Sequence, residues 1–251
     1  MIQENFIKLY EQSFRENWDL PCYTDYGEDE SYSYGQVAQE IAKLHLLFKH
    51  CSLRRGDKIA IIGKNNARWC IAYMATITYG AIVVPILQDF NPNDVHHIVN
   101  HSESVFLFTS DSIWEHLEEE RLAGLRAVFS LSDFRCLHQR DGESIQKLMK
   151  SMDEKMAEKY PKGFSKNDIK YAELDNDKVV LLNYTSGTTG FSKATPQYFA
   201  GSDFYNFSDA SSAIIEYRKT KMSNFAEIRH LFFFLEIFVI VGGIRYEVIQ
   251  S

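Results

Sequence analysis

Tyr184-Thr185-Ser186-Gly187-Thr188-Thr189-Gly190-Phe191-Ser192-Lys193, the stretch YTSGTTGFSK at residues 184–193, sets five serine and threonine hydroxyls and two glycines ahead of a lysine. It follows directly on the apolar run VVLLN at residues 179–183. A buried strand that opens into such a loop places backbone N–H groups at the carboxyl edge of a sheet, where open α/β proteins hold their ligands. Gly187 and Gly190 can take positive φ and let the chain approach a ligand closely. Thr185, Ser186, Thr188, Thr189 and Ser192 offer hydroxyls, and Lys193 a point charge. That inventory suits an anion such as a nucleotide polyphosphate. It does not fit the phosphate loop G-x-x-x-x-G-K-[ST], because no glycine stands before Lys193 and Ala194 follows it where a hydroxyl would reach magnesium. A surface turn of serine, threonine and glycine is the plainer reading of the same composition, and the strand and lysine that bound the loop tell against it.

Working outward, short apolar runs alternate with amphipathic stretches. Ser33 and Gln36 form an S-x-x-Q capping box, and Val37, Ile41, Leu44 and Phe48 recur at helical spacing, which predicts a helix over 33–50. Strands are expected at 58–62, 81–86, 104–109, 126–131 and 178–183. Helices are expected at 67–79, 92–100, near 112–122 and near 143–159. This alternation is the signature of β-α-β units around a parallel sheet with flanking helices, so the fold class is α/β. Residues 23–32, acidic and without period, and 160–177, with Pro161 and Gly163, read as connections.

The composition narrows the function. A chain of 251 residues with 45% hydrophobic and 24% charged residues can bury a sizeable core. A net charge of −7 gives no basic field for nucleic acid. Cys22, Cys51, Cys70 and Cys136 contain no C-x-x-C pair, so neither a zinc knuckle nor a disulfide framework is expected. The opening MIQENFIKLYEQSF has no apolar signal region, from which a cytoplasmic location is expected. The run LFFFLEIFVIV at 231–241 is interrupted by Glu236 and is too short for a bilayer span; peripheral membrane contact is left open.

The stretch T-S-G-T-T-G-F-S-K resembles the phosphate loop of the adenylate-forming superfamily, which includes acyl-CoA synthetases, luciferases and peptide-synthetase adenylation domains. Upstream segments agree in order: Ser33-Tyr34 at a helix start, Gly56-Asp57-Lys58-Ile59-Ala60-Ile61, Asn65 to Trp69, Tyr79-Gly80-Ala81-Ile82-Val83-Val84-Pro85, and the strand through Phe108-Thr109. Residues 87–111 and the FSK run are most similar to bacterial long-chain fatty acid CoA ligases. The resemblance implies the amino-terminal part of the large adenylation domain. It also implies an AMP-forming acid–thiol ligase that joins a carboxylic acid to ATP and then passes the acyl group to coenzyme A. Thr185, Ser186, Gly187, Thr188, Thr189, Gly190 and Lys193 would then hold the β and γ phosphates.

The departures shape the remaining expectations. In the family the lysine is followed by Gly-Val, whereas this chain continues Ala194-Thr195-Pro196-Gln197-Tyr198. The family's Y-G-x-T-E segment with its magnesium-binding glutamate, its ribose-binding aspartate and its carboxy-terminal domain with the catalytic lysine are not found. No catalytic residue and no magnesium ligand is therefore identified here. The chain is expected to divide into an adenylation-domain portion at 1–193 and a divergent tail at 194–251, and to be a truncated ligase. Alternatives are an inactive nucleotide-binding remnant and a non-enzymatic interaction domain. His97 and His101 stand i, i+4 but lack the glutamate of H-E-x-x-H. Ser186 lacks a G-x-S-x-G elbow.

Overall fold

The computed structural model describes residues 5–25, 31–140, 144–185 and 193–198. Helix α1 (Phe6–Glu16) and a small antiparallel pair, β1 (Pro21–Thr24) and β2 (Ser31–Ser33), lead into α2 (Tyr34–His50). The expected capping box opens α2: the Gln36 N–H donates to Ser33 Oγ at 3.2 Å, and the Ser33 N–H donates to Gln36 Oε1 at 2.7 Å. Two of the four orphan N–H groups at the helix start are satisfied this way.

Then come β3 (Lys58–Ile62), α3 (Ala67–Tyr79), β4 (Ile82–Ile86), α4 (Pro92–His101), β5 (Ser104–Thr109), the short α5 (Asp111–Trp114) and β6 (Ala127–Ser130). A hairpin partner β7 (Cys136–Gln139), helices α6 (Ser144–Lys150) and α7 (Met152–Lys159), and strands β8 (Val179–Thr185) and β9 (Lys193–Tyr198) complete the described elements. The sheet has seven strands in the order β7-β6-β5-β3-β4-β8-β9. Its five central strands are parallel, and β7 and β9 close the two ends antiparallel. The α/β expectation is met.

The connections explain the layers. From β3 the chain steps to β4 on one side, then returns through α4 to β5 on the other. Right-handed crossovers in opposite directions put their helices on opposite faces of the sheet. One face carries Phe106, Phe108 and Phe129, with Phe48 of α2 at 6.1 Å from Phe106 and 6.3 Å from Phe108. The other buries Ala60, Ile62, Val84, Ile86, Leu107 and Val128 against Val95, Ile98 and Val99 of α4. Strands covered on both sides read as continuous apolar runs, which is why KIAII and SVFLFT stand out in the sequence.

Several details differ from expectation. The helix expected near 112–122 is only α5 followed by a 3-10 turn at Glu119–Arg121. The helix expected over 143–159 breaks at Ser151 into α6 and α7. Among the described residues no helix is long and apolar enough to cross a membrane. The tail run at 231–241 lies outside the described residues.

Candidate functional site

The parallel strands end together at one edge of the sheet, and β8 arrives there last. Leu181 of β8 pairs with Val83 of β4, so Tyr184 and Thr185 stand at the level where β4 finishes. The chain returns antiparallel as β9, with Thr185 opposite Lys193, Tyr184 opposite Ala194 and Asn183 opposite Thr195. The glycine and hydroxyl stretch is thus a connection between two paired strands, its ends held about 5 Å apart by the ladder. Of the residues singled out in the sequence, Thr185 and Lys193 are brought together in this way. Ser186, Gly187, Thr188, Thr189 and Gly190 lie outside the described residues.

The base of the connection is fixed by a contact that no motif announces. Tyr184 is buried at 4% exposure, and its hydroxyl lies 2.8 Å from Nδ1 of His101 at the end of α4. The two rings meet edge to face at 5.8 Å. Burial pushes the Tyr184 phenol upward, so it stays protonated, and the tautomer of His101 decides which of the two atoms donates. His97 sits on the other side, its ring centroid 5.5 Å from that of His101. The i, i+4 histidines therefore form a ring pair in which His101 anchors Tyr184. Among the described residues no group of three or more His, Cys, Asp or Glu side chains could hold a metal ion. The spacing of the histidines was legible in sequence; their partner was not, because it is supplied across 83 residues.

Neighbouring strand ends supply further polar groups. After β3, Gly63 lies where an added Cβ would be 2.8 Å from Leu131 Cδ1, so a side chain there would have to displace the end of that leucine. The Ser130 hydroxyl donates to Asp111 Oδ1 at 2.5 Å, and Arg135 pairs with Asp111 and with Asp133. The Ser130 hydrogen bond, with help from Arg135, holds the Asp111 carboxyl below its usual range. At the start of α3, the Asp25 carboxylate accepts the Ala67 N–H at 2.8 Å. The thiols offer no nucleophile: burial raises Cys22, raises Cys70 to about 12 and raises Cys136 to about 11.

The family model for AMP-binding enzymes matches residues 10–243. The chain belongs to the AMP-binding enzyme family. The matched residues of this AMP-binding chain run from within α1 across the whole sheet and past Lys193. It is 25% identical over 166 residues to a crotonobetaine/carnitine–CoA ligase of Proteus mirabilis, covering 65% of this chain and 30% of that protein. It is 23% identical over 210 residues to the human long-chain-fatty-acid–CoA ligase 6, covering 80% of this chain and 29% of that protein. The chain thus spans less than a third of these relatives' lengths. Among solved structures it resembles the O-succinylbenzoate coenzyme A synthetase of Bacillus subtilis in complex with AMP. There the TM-score is 0.57 at 19% identity, over 84% of this chain and 46% of that one. That likeness is one of fold.

Proposed function

We propose that this chain carries the polyphosphate-holding part of an AMP-forming acid–thiol ligase, which activates a carboxylic acid with ATP as an acyl-adenylate and passes the acyl group to coenzyme A. The observation that carries the reading is the family match together with the place of the YTSGTTGFSK stretch. It follows the last parallel strand at the carboxyl edge, where ligands of open α/β sheets bind. The work of Thr185, Ser186, Gly187, Thr188, Thr189, Gly190 and Lys193 is to position and neutralise the β and γ phosphates while the carboxylate attacks the α phosphorus and pyrophosphate leaves. Such catalysis rests on geometry and charge rather than on a covalent step at the loop. Long-chain fatty acids are the proposed acids, supported by the similarity to the human long-chain ligase and by the FSK run.

Two measurements on the purified chain test this. Equilibrium binding of ATP is expected to be weak and to be lost in Gly190→Val, where a side chain blocks backbone approach. Lys193→Ala should weaken ATP binding and leave the melting temperature unchanged. ATP binding that is indifferent to both substitutions would refute the assignment of the loop. Pyrophosphate exchange with a panel of short to long carboxylic acids reads the activity. Little exchange is expected from this chain alone, and whatever exchange occurs should favour the longer acids.

A further inference from the structure

The hairpin of β8 and β9 is tied to itself more closely than to the rest of the sheet. Its two strands pair at six levels, from Val179 with Tyr198 to Thr185 with Lys193. Among the described residues one level, Leu181 with Val83, registers β8 on β4. Leu182 and Ala194 pack against the apolar layer that holds α4, but apolar contact has no direction. A hairpin registered at one level can tilt about it. The second fixed point is the Tyr184 hydroxyl, 2.8 Å from Nδ1 of His101 and three residues nearer the loop than Leu181. We propose that His101 is a positioning residue: through Tyr184 it sets the direction in which the hairpin presents the loop at 186–192 to the phosphates of a nucleotide, a role that rests on the reading of that loop as the polyphosphate holder.

The support behind His101 is rigid. The residue closes α4, whose Val95, Ile98 and Val99 are buried in the core. Next to it, the Asn100 side chain donates to the Arg121 carbonyl at 2.8 Å and pins the end of the helix. The His97 ring, 5.5 Å away, limits how far the His101 imidazole can turn. On the other side of the bond, the Tyr184 ring is buried and meets His101 edge to face at 5.8 Å. The phenol therefore cannot swing away without opening the core. Tyr184 also stands opposite Ala194 on the returning strand, so a single contact holds both legs of the hairpin one residue from the ends of the ladder. Whichever atom donates, the bond needs a hydroxyl on one side and a ring nitrogen on the other.

Hydrogen exchange of the ligand-free chain and equilibrium binding of ATP, both on the full chain, test the role. His101→Leu removes the bond and keeps a good helix former at the end of α4. It is expected to speed exchange several-fold in peptides covering 182–185 and 193–197 and to leave β3 and β5 protected. ATP binding should weaken about fivefold, the equivalent of one net hydrogen bond. Tyr184→Phe should do the same, and it carries the test alone if the leucine variant does not fold. His101→Asn puts an amide atom near the place of Nδ1, so it should restore both the slow exchange and the affinity. Lys193→Ala is measured beside them. If Lys193→Ala weakens ATP binding while His101→Leu and Tyr184→Phe do not, the reading of the loop stands and the positioning role is overturned. If none of the three alters ATP binding, both fall. Unmoved exchange in the two peptides, equal acceleration in β3 and β5, or an affinity that His101→Asn does not restore would each overturn the positioning role as well.

Discussion

Two histidines show how single side chains tie the layers together. His45 of α2 lies against the rings of Tyr79 and Tyr171 at 5.4 and 6.0 Å, and its Nε2–H is shared between the Ala75 carbonyl at 3.0 Å and Thr78 Oγ1 at 3.1 Å. Burial pushes this imidazole down to about 4, against a smaller upward pull from the Ala75 hydrogen bond. The folded state thus holds His45 neutral where the unfolded chain would protonate it, so the unfolded state binds more protons between pH 6.5 and 4. Stability is therefore full above about pH 6.5 and is lost as the pH falls towards 4, by at most about 1.4 kcal/mol per pH unit. Urea unfolding across that range should show the slope, and His45→Gln should flatten it. Tyr184 and His101 make a second test. Tyr184→Phe should cost about 1 kcal/mol. If the 2.8 Å bond is what the hydroxyl supplies, adding His101→Leu should cost little more than either change alone.

Gly80 ends α3 in the left-handed region at φ 89°, its N–H bonded to the Ile77 and Thr76 carbonyls, and the next residues enter β4. An added Cβ would meet Arg55 Cγ at 3.3 Å and Ala172 Cβ at 3.4 Å. Gly80→Ala should therefore lower stability by about 1–2 kcal/mol, read by denaturant unfolding, through backbone strain more than through crowding. Elements of this kind were legible beforehand: the extent of α3 to Tyr79, the capping box of α2 and the doubly buried strands all have local causes. The unread elements lack them. In β9, Pro196 within KATPQY argues against a strand, yet β9 is the end strand of the described sheet, where a missing N–H is tolerated. Strand β7 is short, and its four residues are all half-buried, so no alternation shows. Helix α1 hides a stripe of Ile7, Glu11 and Phe14, in which a buried glutamate breaks the apolar pattern. The candidate site was readable as a loop, because its composition is local. Its seating on α4 was not, because Tyr184 and His101 are neighbours only after the sheet has formed.

Across the whole molecule, α1 is fastened to the segment that leads into β8. Asn5 Nδ2 donates to the Leu174 carbonyl at 2.6 Å, the Phe6 N–H donates to Asn176 Oδ1 at 3.2 Å, and Arg15 donates to the Ile169 carbonyl at 2.6 Å. Glu11 is the hub: one carboxylate oxygen pairs with Arg15 at 2.7 Å and the other accepts the Tyr171 N–H at 3.1 Å. Glu11→Gln puts an amide N–H₂ where an acceptor is needed, so a loss of about 1–3 kcal/mol is expected. Hydrogen exchange should accelerate in peptides spanning 169–176 and β8, and leave β3 and β5 protected; uniform acceleration would mean that Glu11 serves the whole core instead. The same fastening sets a timetable for the growing chain. Phe14 finds Tyr34, at 5.2 Å in the finished fold, soon after both are made, but another ring neighbour, Tyr171 at 6.2 Å, emerges much later. At about 5–20 residues per second, α1 waits on the order of ten to thirty seconds for that partner. During the wait one side of the helix is open to solvent, and a chaperone that grips apolar helices has its opportunity there. Ribosome-bound chains halted before Ile169 should be cleaved readily by protease within α1, and chains halted well beyond Asn176 should resist.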